Sequence, residues 1–124
     1  FFREDLILAR SRSTQSFVSK AKEYVRNNYS DENLSLDSIC QVLGVSNSYF
    51  STAFKKETGK SFTGYLTDYR MDQAARLLIE TSEKSYIIGR SVGYTDPNYF
   101  SYVFKRRFGV SPSKYRTEHG TSEK

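Results

Sequence analysis

The sequence has little of what chemistry usually needs: no tryptophan, one cysteine, one methionine, one histidine and two prolines among 124 residues. With Cys40 alone no internal disulfide can form, and its place in an apolar helical pattern marks it as a small buried hydrophobe. The single histidine, His119, lies in a polar C-terminal stretch. No metal-ligand cluster, nucleophile-base constellation or phosphate-binding glycine loop is found, so no catalytic residue, metal site or cofactor is expected and the chain does not read as an enzyme. No run of about 18 apolar residues could span a membrane, and the start, Phe1-Phe2-Arg3-Glu4-Asp5, lacks a signal-peptide layout. A cytoplasmic protein is expected, and a first residue other than Met reads as part of something longer.

What is present is aromatic and basic. Ten Tyr and nine Phe bring aromatics to 15%, with 37% hydrophobic and 27% charged residues, the balance of a folded soluble domain. The length suits one compact domain or two very small lobes sharing an element, and large rings let short lobes bury enough surface. The net charge is +5, which favours an acidic partner, nucleic acid before an anionic membrane. Most of it lies late in the chain: Lys84, Arg90, Lys105, Arg106, Arg107, Lys114 and Arg116 face only Asp96 between residues 84 and 116.

Residues 34 to 65 and 84 to 115 carry one pattern twice. At an offset of 50, Tyr49/Tyr99, Phe50/Phe100, Ser51/Ser101, Phe54/Phe104, Lys55/Lys105, Gly59/Gly109, Ser61/Ser111 and Tyr65/Tyr115 are identical, and upstream an offset of 49 pairs Ile39 with Ile88 and Gly44 with Gly93. Each copy reads as a short helix, a glycine-containing turn and a second helix. Ser35 caps a helix with Leu36, Ile39, Cys40 and Leu43 on one face, ended by Gly44. Ser46 caps the next, which ends near Thr58. In the second copy Asp96 caps and Pro97 starts a helix running to Phe108. Ser61 to Thr81 reads as one longer helix joining the lobes rigidly, Gln15 to Asn28 as an amphipathic helix ahead of them, and Ser111-Pro112 as the start of a short last helix through Tyr115. The expected class is all-α: seven helices, with two helix-turn-helix subdomains (14–60 and 82–118), a linker helix (61–81), a connector (1–13) and a polar tail (119–124).

At 3.6 residues per turn, Phe50, Ala53, Phe54 and Glu57 share one side of the first copy's second helix, leaving Ser48, Ser51, Thr52 and Lys55 outward beside Lys56. In the second copy Phe100, Val103, Phe104 and Phe108 point inward, leaving Asn98, Ser101, Tyr102 and Lys105. Small polar side chains, Asn and Lys on such a face suit base edges in a major groove, with flanking cations on phosphates. Taken singly, Ser, Thr and Asn near helix starts are caps or solvated surface, and a Lys/Arg run is a solvated face. The duplication is what turns both faces towards DNA.

The stretch from Val92 to Arg116, together with Gly44 to Gly59 and Tyr69 to Leu78, resembles the DNA-binding domain of the AraC/XylS family of bacterial transcription regulators, and the resemblance covers about residues 15 to 116. It implies two helix-turn-helix units that read successive major-groove segments of one promoter. Base-facing positions would fall on Ser48, Ser51, Thr52, Asn98, Ser101 and Tyr102, and phosphate-facing ones on Lys55, Lys56, Lys105, Arg106, Arg107, Lys114 and Arg116. RNA polymerase is the second partner implied, with no membrane. This stretch is expected to be monomeric, with dimerisation left open for a longer protein. Gly89 departs from the family's usual Ala, and a helix-interior glycine costs about 1 kcal/mol, so a weaker helix is expected there. Residues 1 to 13 resemble the connector of response regulators that join a phosphorylatable receiver to this type of domain; a ligand-binding domain is the other upstream partner such a domain takes. Activation is the expected mode. A helical protein-interaction module and an anionic-membrane binder are the competing readings.

Overall fold

The computed structural model describes residues 17–119, in which seven helices and no strand occur. They are α1 (17–28), α2 (Leu36–Leu43), α3 (Asn47–Thr58), α4 (Phe62–Glu80), α5 (Ser85–Ser91), α6 (Pro97–Phe108) and α7 (Pro112–His119). The expected connector at 1–13, the start of the first helix at Gln15 and the tail beyond His119 lie outside the described residues. The chain divides into two compact units, one holding 17–28 with Leu34–Tyr65, the other Tyr29–Asn33 with the residues from Leu66 onward.

Local signals set the helix ends. Ser35 accepts from the Ser38 N–H at 3.2 Å while its own N–H donates to Ser38 Oγ at 2.8 Å, a reciprocal box that satisfies two otherwise orphaned donors. Ser46 accepts from the Tyr49 N–H at 3.1 Å, and Asp96 from the Asn98 N–H at 2.9 Å. α7 outruns its expected end at Tyr115 by four residues. The His119 ring stacks on Tyr115 at 4.3 Å, and Thr117 Oγ1 donates to the Ser113 carbonyl, so the last turn is held from its own side chains.

The first unit is built on three phenylalanines. Phe50, Phe54 and Phe62 are buried with ring centroids 5.5 to 5.6 Å apart, and Val18, Ala21, Val25, Leu34, Ile39 and Cys40 of the same unit are buried as well. Each buried ring contributes about 1.5–3 kcal/mol, with about 0.5–1.5 kcal/mol more per ring pair. Glu57, expected on the ring side, is exposed. It lies in the last turn of α3, beyond the rings that define the core.

The second unit packs Met71, Ala74, Ala75 and Leu78 of α4 against Ile88, Val92, Phe100 and Phe104. Along α4, Leu66, Arg70, Ala74 and Leu78 repeat every four residues and all are buried. One of the four is charged. Arg70 donates from Nε to the Tyr29 carbonyl at 2.9 Å and from Nη2 to the Asp31 carbonyl at 2.7 Å, and its guanidinium lies 5.4 Å from the Tyr94 ring centre. The segment 29–33 is thereby fixed to this unit by a buried cation whose donors are used, the condition under which burying it is tolerable. Arg116 works similarly at the far end of α4, donating to the Leu78 and Thr81 carbonyls at 2.8 and 3.0 Å. It caps a helix terminus that has no glycine to do so.

Gly89 is buried where α5 meets α6. A methyl group there would sit 2.7 Å from Phe100 Cγ and 2.8 Å from Cδ2. The expectation of a merely weaker helix is therefore incomplete, because the missing side chain is what lets the ring lie against the backbone. Gly89→Ala gains about 1 kcal/mol of helix propensity but overpacks a filled core at about 1–3 kcal/mol. Chemical denaturation should show a net loss of about 1 kcal/mol, and in a Phe100→Leu background the same change should become neutral or favourable.

Candidate nucleic-acid interface

The second helix of each unit has one face filled with rings and one in solvent. On α3, Ser48, Thr52, Lys55 and Lys56 are exposed; on α6, Asn98, Tyr102, Lys105 and Arg106 are exposed, as is Lys114 on α7. Ser51 and Ser101 are half-buried. Each follows a core phenylalanine, Phe50 or Phe100, by one residue, and a 100° step reaches only the edge of the free face.

The two faces differ in chemistry. That of α3 is small and hydroxylic, with Lys55 and Lys56 in the last turn, where cations also meet the negative end of the helix dipole. That of α6 is aromatic and cationic. Tyr99 and Tyr102 stand 54% and 56% exposed with rings stacked 6.3 Å apart, and Arg106 Nη1 donates to the Tyr102 hydroxyl at 3.1 Å. That hydrogen bond raises the Arg106 guanidinium, a permanent cation in any case, and holds it beside the Tyr102 ring. Asn98, Tyr102 and Arg106 follow one another at four-residue spacing and form a single strip. The Asn98 carboxamide has no hydrogen-bond partner among the described residues, its backbone N–H being the group that Asp96 caps.

Two expected phosphate ligands have partners inside the protein. Arg116 is half-buried on the Leu78 and Thr81 carbonyls, and Arg107 pairs with Asp68 at 3.3 Å and Asp72 at 2.9 Å. Tyr99, 54% exposed, lies beside Tyr102 on the α6 face without having been singled out in the sequence, whereas its counterpart Tyr49, 46% exposed, packs edge-on against the Phe17 ring at 6.2 Å. Burial raises the Cys40 thiol, with Asp37 adding to it, which keeps this cysteine protonated and unreactive. No described helix is long and apolar enough to cross a membrane.

A family model for a helix-turn-helix domain matches residues 39–118. The arabinose operon regulatory protein of Escherichia coli (strain K12) is 36% identical over 107 residues, covering 86% of this chain, which in turn spans 36% of that protein's length. Among solved structures, the C-terminal domain of AraT, a response regulator from Geobacillus stearothermophilus, is similar with a TM-score of 0.84 at 40% identity, covering 86% of this chain and 88% of that one. The C-terminal domain of the two-component response regulator yesN from Fusobacterium nucleatum follows with 0.77 at 35% identity, covering 79% and 95%. With a paired helix-turn-helix pattern, two solvent-facing polar helix surfaces and these relatives, the chain belongs to the AraC-type helix-turn-helix family and is a DNA-binding domain of a transcription regulator.

Proposed function

We propose that α3 and α6 are recognition helices that read two successive major-groove segments of one asymmetric promoter site, so that a single copy of the chain binds as a monomer. The observation that carries this reading is the free polar face opposite the buried rings on each of these helices. Ser48, Ser51, Thr52, Asn98, Ser101 and Tyr102 meet base edges, with Asn98 the strongest reader because a carboxamide makes two hydrogen bonds to adenine. Lys55, Lys56, Lys105, Arg106 and Lys114 meet phosphates. Arg107 and Arg116 leave that set because their guanidinium groups already serve contacts within the protein.

The longer protein is proposed to activate transcription in the cytoplasm through RNA polymerase. Its control is proposed to come from a phosphorylatable receiver rather than a ligand-binding domain, because two similar structures are response-regulator C-terminal domains. No catalytic role is assigned to this domain.

Binding is testable with a duplex recovered from a randomised pool by the wild-type chain. The slope of log K against log salt is expected to be roughly −4 to −7, from about five to eight phosphate contacts at about 0.9 each. Asn98→Ala should weaken that duplex by about 1–3 kcal/mol and leave a scrambled duplex unchanged, whereas Lys105→Ala should weaken both and flatten the slope by about one. A protein-interaction module or a membrane binder would show neither effect.

A further inference from the structure

Arg107 stands apart from the other cations of α6. Its Nε and Nη2 both donate to Asp72 Oδ1, at 3.1 and 2.9 Å, and its Nη1 lies 3.3 Å from Asp68 Oδ1. Both aspartates are on α4, one turn apart. Arg107 thus joins the last turn of α6 to the middle of α4, across a cleft of about 480 Å³ lined also by Thr67, Tyr99, Tyr102, Val103 and Arg106. All three cations of this run are exposed, but Arg106 donates to the Tyr102 hydroxyl and Arg107 alone pairs with α4 carboxylates.

We infer that Arg107 is a positioning residue, which sets how α6 lies on α4 through Asp68 and Asp72, and is not a phosphate ligand. Lys105 and Arg106 immediately precede it on the same helical turn, so a tilt of α6 would displace them together with Tyr102 and Asn98. Two carboxylates close to a DNA-facing helix would otherwise repel the duplex. Neutralising them with Arg107 removes that penalty and uses their charge to fix the helix. The inference rests on the reading of α6 as the DNA-facing helix.

The two roles predict opposite signs for the acidic partners. Binding of the 124-residue chain is measured to the selected duplex and to a scrambled one across a salt series, with thermal melting to confirm folding. If Arg107 positions α6, Asp68→Asn/Asp72→Asn weakens the selected duplex about three- to tenfold despite the loss of two negative charges. Arg107→Gln has the same effect, adds nothing on top of the double asparagine variant, and keeps the wild-type salt slope. Arg107→Lys, which retains the charge but loses the planar fork, is also weakened on the selected duplex. If the asparagine variant instead tightens both duplexes, or Arg107→Gln flattens the slope by about 0.9, the inference is overturned. Failure of the wild-type chain to enrich any duplex would remove the parent reading and this one together, which distinguishes the two failures.

Discussion

Gly93→Ala is expected to cost the second unit about 2–6 kcal/mol, from two sources the structure separates. Gly93 has φ +104, a region that L side chains rarely adopt, at about 1–3 kcal/mol of strain. A methyl there would also lie 2.9 Å from the Tyr29 carbonyl oxygen and 3.0 Å from the Arg70 guanidinium. Neither atom can retreat easily, because each is the other's hydrogen-bond partner. Overpacking of this kind adds about 1–3 kcal/mol. Gly109→Ala is the control: φ is +83 and nothing lies within 4 Å of the added carbon, so only the backbone penalty applies, about 1–2 kcal/mol. Urea denaturation of both variants tests the account, and equal losses would show that the close approach of the 29–33 segment contributes nothing.

Phe104→Ala is expected to be the most damaging single truncation in the second unit. The ring is fully buried and touches three others, with centroids 5.9 Å from Phe100, 4.6 Å from Phe108 and 5.4 Å from Tyr115. Removing it costs about 3–5 kcal/mol through lost transfer energy and a cavity that rigid neighbours cannot close. Small domains hold only about 5–15 kcal/mol in total, so most of the margin disappears. In an amide NMR spectrum, resonances of α5 to α7 should lose dispersion, while those of α2 and of α3, whose Phe50 and Phe54 rings pack on Phe62, are retained. A loss under about 1 kcal/mol would mean the aromatic cluster is not what holds these helices.

The helix boundaries were readable in advance because their causes are local. Ser35, Ser46 and Asp96 act on donors two or three residues away, and a periodic run of rings declares its own buried side. Arg70, Gly89 and Arg107 were not readable, because their roles depend on partners brought near only by folding. Tyr29 is 41 residues from Arg70, and Asp72 is 35 from Arg107. The charged residue in the four-residue row Leu66, Arg70, Ala74, Leu78 was a visible anomaly, yet nothing local indicates which carbonyls it serves. Arg107 was misleading for another reason: beside Lys105 and Arg106 it shares their composition, and only its angular position on α6 turns it towards α4. The polar faces of α3 and α6 followed from periodicity alone, except that Ser51 and Ser101 fall on the edge.

At the position where the second half has Gly89, the first half has Cys40, 49 residues earlier in the aligned pattern. The cysteine is accommodated in the first unit's core, its sulfur 3.9 Å from the Ser46 carbonyl oxygen, whereas at Gly89 even a single carbon collides with Phe100. Segments that began as matching halves have thus ceased to be exchangeable. A recombination event that overwrote the α5 codons with those of α2 would drive a sulfur against an aromatic ring, and a smaller side chain at position 100 would be needed to restore the packing.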